Sequence, residues 1–293
     1  MTRRSSLPGA GGRRGTRNTV AVGAAVAMGV AAVLAVGLMV YVSAGRGPSA
    51  GHGAAVAATT HVTPAPTAGA NAAGTRAVAA RGHAGRGGAG LPAGETELAT
   101  LRSSAPTYAS PGGPRTGTVP ATWYERPSVL PVIAVRPGWV RVRLSRRPDG
   151  ATAWLQDRYV TFGSTPFRIV IDLATTTLRL YDQGRLVLSA PAGVGAADDP
   201  TPTGSYFVAF DEAPPQPNPG YGPFIMVTSA HSRTIADWEG SGDAVIGIHG
   251  PLGDDSEIGT TGARISHGCV RLHLPALARL RPVPPGTPVD IVQ

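Results

Sequence analysis

The chain has no lysine, one cysteine (Cys269), aromatics at only 5% of its 293 residues, and no acidic residue before Glu95. Each scarcity excludes something. With one thiol no disulfide can form within the chain, so Cys269 is an inert core residue, a metal ligand or a reactive group. No aromatic lies between Tyr41 and Tyr108, and that stretch has nothing large enough to build a core. The net charge of +8 invites a nucleic-acid reading, which the placement of the charges removes. Residues 1–94 hold nine Arg and no acid, whereas 95–293 hold 17 Arg and 18 acids, so the excess lies outside the part that can fold. No nucleic acid is expected as a partner.

The N-terminal third is organised by what surrounds one apolar run. A basic cytoplasmic tail, residues 1–19, carries Arg3, Arg4, Arg13, Arg14 and Arg17 ahead of an uncharged stretch over 20–42. Those 23 residues, at about 1.5 Å each, make a helix of roughly 34 Å, enough to cross a hydrocarbon core of about 30 Å. The basic tail keeps the N-terminus in the cytoplasm, so the run reads as a single-pass signal-anchor in the cell membrane with everything downstream extracytoplasmic. The competing reading is a cleaved signal peptide and a secreted product, because Val42-Ser43-Ala44 supplies small residues where a peptidase would cut. Residues 43–96 are Ala, Gly, Pro and Thr with scattered Arg, a composition that cannot offset its ordering entropy. They are expected to be a disordered linker with a reach of about 40 Å.

Beyond the linker the pattern is that of strands and turns. In 97–163, Trp139-Val-Arg-Val-Arg-Leu144 alternates apolar and basic residues, Pro148-Asp149-Gly150 is a turn, and Ala153-Trp154-Leu155 opens another strand. The runs from Gly138 to Leu144 and from Gly150 to Leu155 resemble bacterial Src-homology-3-like domains, which implies a small β-barrel. Its Trp123, Trp139 and Trp154 are expected in the core rather than as glycan-stacking platforms. In 166–293, Phe167 to Leu173 and Thr177 to Tyr181 read as strands, with Asp182-Gln183-Gly184 as the turn into Arg185 to Leu188. The one helical run is Leu274 to Leu280, and the Pro-rich stretch from Asp211 to Gly222 is a candidate flap or a plain surface loop. His231, His273 and the acid pairs Asp198-Asp199 and Asp254-Asp255 read as surface, loop and turn residues. Thr201 reads as shaping a loop.

The chemistry concentrates in Gly247-Ile248-His249-Gly250 and Ser266-His267-Gly268-Cys269-Val270-Arg271. A free thiol of pKa about 8.5 is only slightly ionised at neutral pH and needs an imidazole to take its proton. Either His249 or His267 could serve. If Ile265 to Leu272 is extended, His267, Cys269 and Arg271 share one face. The N–H groups of His267, Gly268 and Cys269 could converge on an oxyanion, each worth roughly 3 kcal/mol. Arg271 offers a planar fork for a substrate carboxylate.

His249, sixteen residues, then Ser266-His267-Gly268-Cys269-Val270-Arg271 resembles the signature of the YkuD-type L,D-transpeptidases. The likeness extends through Pro200-Thr-Pro-Thr-Gly204 and Gly220-Tyr221-Gly222-Pro223 and covers 166–293. It implies a mainly β catalytic domain, a sandwich or flattened barrel with a short helix. By that likeness Cys269 is the nucleophile and His249 the base, oriented by the Gly250 carbonyl. His267 and Gly268 contribute to the oxyanion hole, and Arg271 holds the donor peptide, with Ser266, Gly250 and Tyr221 lining the substrate site. The implied reaction is acyl transfer on peptidoglycan stem peptides without a cofactor. A tetrapeptide donor passes through a Cys269 thioester to a diamino-acid acceptor, and carbapenem-type β-lactams are the implied inhibitors. Three alternatives remain: an L,D-carboxypeptidase using the same thioester, a non-catalytic wall-binding protein, and a zinc site built from His249, His267, Cys269 and His273.

Overall fold

Alternation of apolar and polar side chains is read out as strands through most of the described chain. The computed structural model describes residues 76–77 and 91–293, apart from 215–217, 239–240 and 261. The proposed anchor, 20–42, and nearly all of the linker lie outside the described residues. Among the described residues no helix is long and apolar enough to cross a membrane.

The first group of strands is β1 (Arg76–Ala77), β2 (Thr96–Leu101), β3 (Ala105–Tyr108), β4 (Arg115–Val119), β5 (Thr122–Trp123), β6 (Arg126–Pro127), β7 (Val129–Arg136), β8 (Trp139–Arg143), β9 (Thr152–Gln156) and β10 (Val160–Thr165). Eight of them form a sheet in the order β1-β10-β2-β7-β8-β9-β3-β4, while β5 and β6 form a separate hairpin. The second group is β11 (Phe167–Asp172), β12 (Thr177–Asp182), β13 (Arg185–Pro191), β14 (Val194–Gly195), β15 (Gly204–Glu212), β16 (Ile225–His231), β17 (Val245–His249), β18 (Arg264–Ser266), β19 (Val270–Arg271) and β20 (Pro288–Val292). Its eight-stranded sheet runs β13-β12-β11-β20-β15-β16-β17-β19, with β14 and β18 paired apart. The described chain is therefore mainly β, and its α-helix, α1 (Leu274–Ala278), is short.

Every second residue of the central strands faces one core. Ile169 and Ile171, Leu178 and Leu180, Ile246 and Ile248, and Val289 and Ile291 meet there, and α1 adds Leu277. Side chains of this size each stabilise the fold by about 1.5–3 kcal/mol when fully buried. The first sheet has its own cluster around Ala99, Val140, Val142, Leu155 and Val160. Strand β15 serves both clusters. Tyr206 and Val208 point into the second sheet's core, and Phe207 between them plugs the first. A register shift between Val208 and Phe210 then turns Phe210 onto a third cluster with Ile225 and Val227. The described residues lie in a single compact unit.

Two expectations change. β15 runs on to Glu212, so the stretch read as a flap from Asp211 begins as strand. His231, expected at the surface, is 2% exposed. Its Nδ1 lies 3.0 Å from Asp149 Oδ1 and its Nε2 3.3 Å from Asp243 Oδ2. Asp149 belongs to the turn that follows β8, and its other oxygen accepts from the Tyr206 hydroxyl at 3.2 Å. Arg147 in the same turn donates to Asp243 at 3.0 Å and to the Ser232 carbonyl at 2.6 Å. A buried imidazole needs polar partners, and the turn acid of one sheet supplies them to the other.

Candidate active site

Strand β17 pairs in parallel with β19, with His249 opposite Arg271 and Ile248 opposite Val270. Because Ile246 and Ile248 fill the core, Gly247 and His249 face the other side of the sheet. The Gly247 N–H donates to Cys269 Sγ at 3.3 Å. A Cβ placed on Gly247 would lie 3.8 Å from that sulfur and 3.7 Å from His249 Cδ2. The thiol and the imidazole thus border the same glycine, on one face, although twenty residues separate them in sequence.

His249 is 3% exposed, and its Nδ1 lies 2.8 Å from the Gly250 carbonyl oxygen. A carbonyl only accepts, so Nδ1 carries the hydrogen and Nε2 keeps its lone pair. Burial pushes the imidazole pKa down to about 4, helped by the positive charge of Arg271 and opposed by the Gly250 bond. The Tyr221 ring meets it edge-on at 4.8 Å between centroids. Gly250 is required by close approach, since its N–H donates to the Tyr221 carbonyl at 2.7 Å and an added Cβ would sit 2.5 Å from the Gly220 oxygen. Cys269 is half-buried. Burial pushes its thiol up, with the Gly247 N–H pulling the other way. At neutral pH the resting pair is therefore a neutral thiol beside a neutral imidazole.

The segment before the sulfur differs from the expected extended strand. The chain bends at 267–268, where Gly268 has φ +116° and an added Cβ would meet Ile246 Cδ1 at 2.9 Å. His267, Cys269 and Arg271 consequently do not alternate along one strand. His267 is exposed, and its ring lies 5.6 Å from that of Trp238. Ser266, read as a substrate contact, is buried; its hydroxyl donates to the Cys269 carbonyl at 2.5 Å and accepts from the Gly268 N–H at 3.1 Å. That N–H is occupied and is not a free oxyanion donor, so the expected role of Gly268 is corrected to that of a bend. Thr201 Oγ1 donates to the Gly268 carbonyl at 2.7 Å and itself accepts from the Gly195 N–H at 2.8 Å. Thr201→Val, equal in shape, orphans both groups and should lower stability by about 2–4 kcal/mol. Calorimetry should read this as a Tm lower by about 10 °C.

Arg271 is fixed at both ends. Its backbone exchanges hydrogen bonds of 2.8 and 2.9 Å with Gly193. Its guanidinium, expected to be a free fork, pairs through Nη1 with Asp254 and holds Nε–H buried with no partner among the described residues. Next to it, Asp255 Oδ1 lies 2.8 Å from His273 Nδ1. The two turn acids thus tie the turn at 254–255 to Arg271 and His273, a role that their neighbouring positions do not advertise. Of the proposed zinc ligands, His273 is turned to Asp255 and His267 to Trp238. Among the described residues no three or more His, Cys, Asp or Glu side chains gather to hold a metal ion.

The cysteine and the backbone-oriented histidine share one face of a β-sheet within residues 166–291, the stretch that matches the family model described as the YkuD L,D-transpeptidase catalytic domain. The Bacillus licheniformis protein YkuD, named as an L,D-transpeptidase, is 36% identical over 127 residues, covering 43% of this chain and 66% of the relative. This chain thus spans just under two thirds of that relative's length. Among solved structures, a mutant L,D-transpeptidase of Enterococcus faecium is 24% identical, with a TM-score of 0.33 and coverage of 43% of this chain and 49% of the other. An L,D-transpeptidase from Mycobacterium smegmatis is 18% identical, with a TM-score of 0.34 and coverage of 53% and 91%.

Proposed function

We propose that this protein is a peptidoglycan L,D-transpeptidase that joins the third-position residues of two stem peptides through a Cys269 thioester. The observation that carries this reading is the convergence of Sγ and the His249 ring on Gly247. Cys269 Sγ attacks the carbonyl between the third residue and the following D-Ala while His249 Nε2 takes the thiol proton. Both groups start neutral, so this transfer accompanies attack rather than preceding it. With the Gly268 N–H committed to Ser266, the N–H groups of His267 and Cys269 remain as the donors to the developing oxyanion. Collapse breaks the peptide bond, and the imidazolium returns its proton to the departing D-Ala amine. A side-chain amine of a second stem then attacks the thioester, His249 accepting its proton, and the thiol is regenerated with its proton from His249. Arg271 keeps Nε–H for the donor peptide while Asp254 holds its other arm.

The same proposal puts the enzyme at the outer face of the cell membrane, tethered by residues 20–42 and given reach by the part of the 43–96 linker that precedes β1. Incubation with a carbapenem should add one acyl group to the intact protein and none to Cys269→Ala. Mass spectrometry checks this, and an adduct that persists in the variant would overturn the assignment of the nucleophile.

A further inference from the structure

One row of residues runs straight across the catalytic face. Phe210 on β15 pairs with Val227 on β16, and Val227 pairs with Gly247 on β17. Gly247 in turn donates its N–H to Cys269 Sγ. Directly opposed residues share a face, and neighbouring strands lie about 4.8 Å apart, so Phe210 is roughly 10 Å from the glycine that touches the sulfur. At the far end of this row stands the separate β5–β6 hairpin. The Trp123 ring lies 5.7 Å from that of Phe210, and the Tyr124 ring 5.9 Å. The sequence places Trp123, Trp139 and Trp154 in the core, yet all three are only half-buried, and Tyr124 is 46% exposed.

The hairpin's two central residues are unusual for their position. Tyr124 has φ +47° and Glu125 φ +61°, a pair of left-handed conformations that tight hairpins normally give to Asn and Gly. Large side chains occupy the tip against backbone preference. Charged groups rim the aromatic pair: the carboxylates of Asp243 and Glu212 push the Tyr124 hydroxyl up, after burial itself, and Glu212 feels the opposing charge of Arg126 on the hairpin.

We propose that Trp123 and Tyr124 form a stacking platform for an amino sugar of the glycan strand that bears the donor stem peptide. This rests on the transpeptidase reading above and adds to it a subsite supplied by the β5–β6 hairpin. Pyranose rings offer an apolar C–H face to an aromatic ring and a rim of hydroxyl and amide groups to carboxylates and Arg. The reach agrees. A third-position residue sits three residues from the sugar; about 10 Å of extended chain carries the peptide from Gly247 to Phe210, and the link from peptide to sugar covers the further step of 5.7–5.9 Å from the Phe210 ring to the Trp123 and Tyr124 rings. A stem peptide alone would leave the platform beyond its first residue.

Two measurements on the full-length chain in detergent test this. The first is calorimetric titration of chitotetraose into Cys269→Ala, which needs no chemistry. Binding is expected, with Kd about tenfold weaker once Tyr124→Ala is added. The second is the ratio of kcat/KM for a disaccharide-tetrapeptide over the sugar-free tetrapeptide, expected to fall about tenfold in Tyr124→Ala, chiefly through KM. Tyr124 is exposed, so its variant avoids the packing loss that Trp123→Ala would bring; an unchanged Tm verifies its fold. No binding of chitotetraose, or equal losses on both peptides, overturns the platform. Sugar binding without thioester formation on any peptide sinks the transpeptidase reading alone.

Discussion

His249→Ala should slow thioester formation by about 10²–10⁴-fold, the range for removing a positioned general base. The rate of mass gain after mixing with donor or carbapenem measures it. The cause is the neutral resting state: burial raises the thiol pKa, so little thiolate exists without the imidazole. The pH profile adds a sharper test. The base works only when unprotonated, and its pKa is depressed to about 4. Activity should therefore hold as pH falls through 6.5, the ordinary imidazole value, and drop only near pH 4. In His249→Ala this limb should vanish. A wild-type limb at 6.5 would mean that His249 is not the base.

Gly250→Ala should be nearly as damaging although it alters no reacting atom. The new Cβ would lie 2.5 Å from the Gly220 oxygen and 2.9 Å from the Tyr221 carbonyl group, all backbone atoms that cannot rotate away. Either the 219–221 turn or the end of β17 must shift. Such a shift breaks the 2.7 Å bond from the Gly250 N–H to Tyr221 and misdirects the carbonyl that orients the imidazole. Displacing a catalytic group by about 1 Å costs on the order of 10²-fold in rate, alongside about 1–3 kcal/mol of stability. The rate loss should appear at saturating donor. If the Tm falls while the acylation rate holds, the Gly250 carbonyl is not what aims His249.

The parts of this site that can be read from sequence are those whose chemistry is local. The residues alone leave His249 and His267 both open as partners of Cys269, and the resemblance of His249 and Ser266-His267-Gly268-Cys269 to the YkuD-type signature singles out the two that meet at Gly247. Period-two alternation at 167–173 and 177–181 foretells the two strands that frame the core. Expectation fails where a residue's partner comes from a distant turn. Arg271 reads as a free fork because nothing in its neighbourhood points to Asp254, seventeen residues earlier. His231 reads as a surface residue because Asp149, its half-buried partner, is 82 positions away in the turn that follows β8. Ser266 and Gly268 fail differently. Their spacing suits an extended strand, but Gly268's positive φ, the packing of Ile246 and the reach of Thr201 bend the chain and consume the N–H that would otherwise look available.

The way β15 divides its side chains between two cores bears on modularity. A fragment beginning at Pro166 would present Phe207 to water with its slot gone, leave the Tyr206 hydroxyl only the Thr203 carbonyl to donate to, and leave His231 facing one carboxylate instead of two. The stretch that holds the chemistry is thus no detachable cassette. Transplanting it would require bringing along the Arg147–Gly150 turn, and the smallest piece able to keep its shape starts well ahead of the first catalytic residue.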